Sequence, residues 1–259
     1  MPVAKLPDVQ INYEWAGAEH LPVLVFSNSL GTNLRMWDAQ MEEFSKYFRL
    51  LRYDTRGHGQ SEVTLGPYTI EQLSWDVVHL LDALKLDRIY FCGLSMGGMT
   101  GMFLGANVPA RLHKLVLCNT AAKIGTPEGW NSRIQAVESG GMRAVAGTVI
   151  ERWFTSGFRS SHPAETQAVL SMLEAANPQG YVANCAAVRD MDQRHSLANI
   201  RVPCLALTGT HDPATTPADV RSLAESIPGA EYAEFSAAHL SNIEARDEFN
   251  RRVLHFLSA

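Results

Sequence analysis

The pentapeptide Gly93-Leu94-Ser95-Met96-Gly97 constrains this chain more than any other feature, because of what stands on either side of it. Ile89-Tyr90-Phe91-Cys92 before it reads as a buried strand, and the run from Gly97 to Asn107 after it reads as a helix. A strand that becomes a helix within so few residues holds its central residue in strained backbone geometry. Only residues with little or no side chain fit two positions before and after it. Such a turn lifts the Ser95 hydroxyl above the carboxyl edge of a sheet, where open α/β folds place ligands. It also brings the unpaired N–H groups of a helix N-terminus beside that hydroxyl. Without chemistry, the same segment is a glycine-rich turn whose serine caps the helix.

The flanking pattern supports a layered α/β architecture. Gln10 to Trp15 alternates at period two, Leu21 to Phe26 is a continuous apolar run, and Arg49 to Tyr53 and Leu112 to Cys118 read as further strands. Between them, Met36 to Phe48 and Ile70 to Leu84 carry apolar positions at helical spacing. Strands alternating with helices of this length predict a mostly parallel sheet covered on both faces. From Ile124 to Val188 the rhythm changes to helical patterns alone: Asn131 to Glu138, Met142 to Phe154, Ala164 to Ala176 and Tyr181 to Arg189. Strand and helix then resume at Val202 to Thr208, Pro217 to Ser226, Ala230 to Phe235 and Asn242 to Leu257. The expected division is a core over 1–123, an all-helical insertion over 124–188, and the rest of the core over 189–259.

Composition narrows the function. With 22 Lys+Arg against 27 Asp+Glu the formal net charge is −5, and no basic run tracks phosphates, which excludes a nucleic-acid binder. No apolar stretch approaches the ~20 residues of a membrane-spanning helix. The N-terminus lacks the long apolar run of a signal peptide, so a cytoplasmic location is expected. Four scattered cysteines, Cys92, Cys118, Cys185 and Cys204, form neither a metal-ligand spacing nor a disulfide framework, and no metal or organic cofactor is expected.

A serine hydroxyl is a poor nucleophile until a base removes its proton, and the base needs an orienting acid. Asp212 lies in the loop leaving the Leu205-Ala206-Leu207-Thr208 strand, and His239 follows the strand ending at Phe235, so both stand past later strands in the order acid then base. Asp54 is the alternative acid. The segment Asp54-Thr55-Arg56-Gly57-His58-Gly59, which contains a competing histidine, reads as structural, and His211 as a surface or supporting group. Acyl transfer also needs donors for a developing oxyanion. The backbone N–H of Met96 is one, and that of Leu30 in Ser27-Asn28-Ser29-Leu30-Gly31-Thr32 is preferred over Gly31 as the second.

These segments are similar to those of the capped α/β-hydrolases, and more closely of the 3-oxoadipate enol-lactonases. The resemblance rests on Ser27 to Thr32 with Met36-Trp37, Tyr53 to Gly59, Gly93 to Met99, Asn119 to Pro127, Arg152 to Thr155 and His239 to Glu244. Asn28-Ser29 stands where many capped hydrolases have His-Gly, which fits the lactonase pattern. Some members carry a fused decarboxylase domain, which is not expected here.

The resemblance implies the α/β-hydrolase fold with a helical cap, and hydrolysis of 3-oxoadipate enol-lactone in the β-ketoadipate pathway of aromatic catabolism. It implies an acyl-enzyme on Ser95 with His239 as base and Asp212 as its partner. A substrate carrying a free carboxylate calls for a cation or donor from the cap. Trp130 and Arg133 are the favoured pair among Lys123, Trp130, Arg133, Arg152 and Trp153. The alternatives are a broad carboxylesterase or cofactor-free perhydrolase with the same residues, and a non-catalytic ligand receptor of this fold. Oligomeric state is not readable from the sequence.

Overall fold

A computed structural model describes residues 2–259. Eight strands form one sheet: β1 (Val3–Lys5), β2 (Gln10–Ala16), β3 (Val23–Ser27), β4 (Arg49–Tyr53), β5 (Ile89–Leu94), β6 (Leu112–Cys118), β7 (Cys204–Gly209) and β8 (Glu231–Phe235). Their spatial order is β1-β2-β4-β3-β5-β6-β7-β8. The β1–β2 and β2–β4 pairs are antiparallel and all others parallel. The parallel centre is apolar because it is covered on both faces: Leu24, Val25, Phe26, Phe91, Cys92, Leu115, Val116 and Leu205 are fully buried.

Eleven α-helices accompany the sheet among the described residues: α1 (Asp38–Phe44), α2 (Ile70–Ala83), α3 (Met96–Asn107), α4 (Pro127–Gly140), α5 (Arg143–Trp153), α6 (Ser156–Ser161), α7 (Pro163–Glu174), α8 (Pro178–Asp190), α9 (Pro217–Ser226), α10 (Ser241–Glu244) and α11 (Arg246–Ser258). Five of them, α4 to α8, follow one another between β6 and β7 with no strand among them. The punctuation there acts as helix starts. Thr126 and Asn177 cap α4 and α8 through their side-chain oxygens, each followed by a proline at the first helical position. Thr216 and Asp219 close a reciprocal capping box on α9. No helix among the described residues is long and apolar enough to cross a membrane.

The structure differs from the sequence expectations at four places. Met36 to Phe48 is not one helix but a tight 3-10 turn, Leu34–Trp37, followed by α1. Trp37 leaves helical geometry to stack on Phe26 at 4.6 Å and to donate its indole N–H to Asn28 Oδ1 at 3.0 Å. The expected final helix breaks at Ala245 (φ −111°, ψ 41°). There the Glu244 carboxylate turns back to accept the Ala238 N–H at 2.9 Å and the Thr155 N–H at 3.2 Å. The strand β1 and the helix α6 were not expected, being too short to show a period.

The segment Asp54 to Gly59 is a brace, as expected. The Asp54 carboxylate accepts from Asn12 Nδ2, Leu34 N–H and Gln60 N–H, each at 2.8 Å, and no histidine reaches it. The buried Arg56 guanidinium is forked onto Asp76 at 2.6 and 2.8 Å and reaches Asp8 at 2.8 Å. His58, 1% exposed, accepts the Gly31 N–H on Nε2 at 2.8 Å and so fixes the loop after β3. Burial lowers the His58 imidazole from its usual 6.5 to about 4, so it is neutral in the fold. A base depressed in the native state is protonated first in the unfolded chain, so stability falls as pH drops through this window. We expect His58 to cost about 3 kcal/mol between pH 6.5 and 4. Urea unfolding at both pH values should show that loss in the native protein and a smaller one in His58→Gln. Equal losses in both would contradict this assignment.

Candidate active site

The loops leaving β3, β5, β7 and β8 meet at the carboxyl edge of the sheet. At the end of β5, Ser95 has φ 57° and ψ −114°, a conformation costly for a residue with a side chain. It is held by an N–H donated to Cys118 O at 2.8 Å and a carbonyl accepting from Thr120 Oγ1 at 2.8 Å. The two flanking glycines are required by space. A Cβ on Gly97 would sit 2.2 Å from Ser27 O, and one on Gly93 would sit 2.1 Å from Gly97 O. The Ser95 hydroxyl makes no capping bond to α3, so the reading of this serine as a simple helix cap does not describe the turn.

His239 and Asp212 meet behind that serine. The His239 Nδ1–H donates to Asp212 Oδ2 at 2.8 Å, and both side chains are almost fully buried. In the neutral imidazole this leaves the Nε2 lone pair free. Asp212 is the most heavily hydrogen-bonded carboxylate among the described residues. Besides His239, its Oδ2 accepts from Asn119 Nδ2 at 2.9 Å and Thr215 Oγ1 at 2.7 Å. Its Oδ1 accepts the N–H groups of Ala214 at 2.8 Å and Thr215 at 3.1 Å. Burial pushes this carboxyl up, but the His239 charge and bond and the Asn119 and Thr215 bonds outweigh it and hold it at about 2. It is a carboxylate at any physiological pH.

Ser95, His239, Leu30, Met96, Trp130 and Arg133 all border a single cavity, and Asp212 stands behind His239 outside it. Neither the Leu30 N–H nor the Met96 N–H donates to another protein group among the described residues. The Gly31 N–H is taken by His58, which separates it from Leu30 as a donor. The cavity's remaining charges are the guanidinium groups of Arg133 and Arg152, and no carboxylate lines it. Among the described residues neither arginine forms an ion pair. Arg133 lies over the rings of Trp130 at 5.3 Å and Tyr181 at 5.5 Å. Its Nε and the Tyr181 hydroxyl are buried without a partner. Arg133 is thus an unpaired cation on the cavity wall, which favours an anionic occupant.

Of three further cap candidates, two stand differently from the sequence expectation. Trp130 faces the cavity, but its indole N–H is committed to Ile124 O at 2.9 Å, so it offers a ligand its ring rather than a donor. Trp153 does line the cavity, buried and stacked on His239 with ring centroids 6.5 Å apart at 22°. Lys123 is exposed and paired with Asp192 at 3.2 Å, away from the cavity. Sequence reasoning missed Asn119, Thr215 and Ser241. The available signal was a polar pair, Asn119-Thr120, directly beyond an apolar strand, where side chains project over the sheet's carboxyl edge.

Comparison with known proteins agrees with this geometry. Residues 22–144 match the family model described as the alpha/beta hydrolase fold. The chain is 42% identical over 246 residues to 3-oxoadipate enol-lactonase 2 of Acinetobacter baylyi, covering 95% of this chain and 92% of that one. Its fold superposes on the crystal structure of the enol-lactonase from Burkholderia xenovorans with a TM-score of 0.98 and 46% identity, over the whole of both chains. A thermophilic esterase from Thermogutta terrifontis, solved with malate bound, is similar at a TM-score of 0.92 and 27% identity, over 99% of this chain and 97% of that one. The chain is thus an ester-bond hydrolase of the α/β-hydrolase fold and belongs, within that fold, to the 3-oxoadipate enol-lactonase family.

Proposed function

We propose that this enzyme opens the ring of 3-oxoadipate enol-lactone, with Ser95 as nucleophile, His239 as general base and Asp212 as the acid that orients it. One observation carries the reading: a serine on a strained elbow and an imidazole held by a buried carboxylate border one cavity whose other charges are two unpaired guanidiniums. His239 Nε2 takes the Ser95 proton as Oγ attacks the lactone carbonyl. The Leu30 and Met96 N–H groups receive the negative oxygen, with the N-terminus of α3 adding its dipole. Collapse breaks the ring C–O bond and expels an enolate, which takes the proton held by His239 and tautomerises to a ketone, leaving the imidazole neutral again. An enolate is a comparatively good leaving group. Water, deprotonated by the same imidazole, then releases the acyl group and restores Ser95.

The free carboxylate of such a substrate suits the Arg133 guanidinium, which lines the cavity, while the Trp130 ring supplies an apolar wall. Arg152 lies on the same cavity and adds to its positive potential. In this reading residues 124–188 are a cap on a core made of 1–123 and 189–259. The four free and buried cysteines suit a reducing compartment such as the cytoplasm.

Asp212→Asn should fold normally and lose roughly 10⁴-fold in kcat on the enol-lactone, because the imidazole would be held in the wrong tautomer. A steady-state assay showing near-normal turnover removes Asp212 from this role. Arg133→Ala should raise KM for the enol-lactone by roughly tenfold or more, in line with a charge-assisted hydrogen bond. Its turnover of p-nitrophenyl acetate, which carries no anion, should stay at the native level. If both substrates suffer equally, Arg133 acts on the fold rather than on a carboxylate.

A further inference from the structure

Asn119 follows β6 with φ 44°, a left-handed conformation that asparagine tolerates better than most residues. It is fully buried, and its side chain reaches three elements. Its Nδ2 faces Asp212 Oδ2 at 2.9 Å and Ala238 O at 3.3 Å. Both are acceptors, so the amide has only one workable orientation. Its Oδ1 takes the Ser241 hydroxyl at 2.6 Å, and Ser241 is itself fully buried at the start of α10. One amide therefore joins the end of β6 to the acid after β7 and to the backbone beside the base after β8. It also shares Oδ2, the oxygen that accepts from His239 Nδ1.

Resting on the assignment of Ser95, His239 and Asp212 above, we propose that Asn119, locked by Ser241, is a positioning residue for the reaction. Together with the Thr215 hydroxyl, its N–H saturates the Asp212 oxygen that serves His239, which aims that carboxylate at the imidazole and keeps it from swinging or taking up a proton. Its second contact, to Ala238 O, fixes the distance between the acid's loop and the base's loop. Neither function requires Asn119 to touch the substrate, and it does not line the cavity. A purely structural asparagine would affect stability alone. A positioning one alters kcat and its pH dependence while leaving KM in place.

Asn119→Asp separates the two, because it changes one donor for a carboxyl of the same shape. Two carboxyls at hydrogen-bond distance cannot both be ionised cheaply, so the pair retains one proton at low pH. While that proton is bound, the introduced carboxyl donates as the amide did. When it leaves, the two anions repel and the acid is displaced. The groups facing the pair are few. They are His239 from the turn after β8, the exposed His211 beside Asp212, and Glu244 of α10, which binds the neighbouring Ala238 N–H. From β6 comes Cys118, whose thiol burial keeps neutral.

The experiment measures kcat and KM for p-nitrophenyl acetate and for the enol-lactone from pH 5 to 9. The variants are Asn119→Asp, Asn119→Leu and Ser241→Ala, with Ser95→Ala and fluorophosphonate labelling as controls. Asn119→Leu should lower kcat roughly 10- to 100-fold with KM unchanged, the range of one charge-assisted hydrogen bond. Asn119→Asp should be most active at the acid end and fall on a new alkaline limb absent from the native profile. Ser241→Ala, which only removes a hydroxyl, should lower kcat by about 3- to 10-fold and carries the test if the Asn119 variants do not fold. Native kcat and a native pH profile in folded variants would overturn the proposal while Ser95 still labels. Failure of the native protein to label at Ser95 would instead overturn the assignment beneath it, and this proposal with it.

Discussion

The close approach of α3 to the end of β3 is the contact on which the site depends. Gly97 sits so near Ser27 O that its N–H can donate to Asn28 O at 2.9 Å, and a single methyl group would prevent it. That contact places the first turn of a helix against the loop after the neighbouring strand. The Leu30 and Met96 N–H groups consequently border the same space as the Ser95 hydroxyl. The strain in Ser95 is tolerated because its neighbours fix it from three sides: Cys118 O below, Thr120 Oγ1 beside, and the glycines on either flank. For the proposed reaction, rigidity at this point would let hydrogen-bond donors face a developing charge without first reorganising.

Electrostatics inside the molecule run against its net charge. The chain carries a formal −5, yet the cavity is lined by two guanidiniums and no carboxylate. The acidic residues nearest the chemistry are occupied elsewhere: Asp212 with five donors and Glu244 with backbone N–H groups. A local field opposite in sign to the global one favours anions in this cavity, which is a specificity argument rather than a stability argument.

Much of the sheet was legible because its strands are short apolar runs punctuated by turns, and Leu112–Cys118 and Pro217–Ser226 have the expected bounds. The elbow was legible because its geometry demands glycine at fixed offsets. Pairing of His239 with Asp212 followed from chain order and loop position. What could not be read depends on contacts distant in sequence. The break at Trp37 is set by an indole stacking on Phe26 and bonding to Asn28. The break at Ala245 is set by Glu244 reaching back to Ala238 and across to Thr155. Whether an indole N–H is free for a ligand, as for Trp130, depends on one carbonyl six residues earlier and leaves no trace in composition or periodicity.

The attachment of α5 has a mechanical consequence. At its C-terminal end, the Trp153 carbonyl accepts the Leu240 N–H at 3.1 Å and its ring lies on His239, while Thr155 is fastened to Glu244. The helical roof is therefore riveted to the very turn that bears the imidazole, and prising it up from that side would drag the base along. A second cleft between α4 and α5, near Thr126, Gly129 and Thr148, shares Trp130, Arg133 and Arg152 with the inner cavity. Both arginines thus stand where the outer cleft meets the cavity that holds the serine.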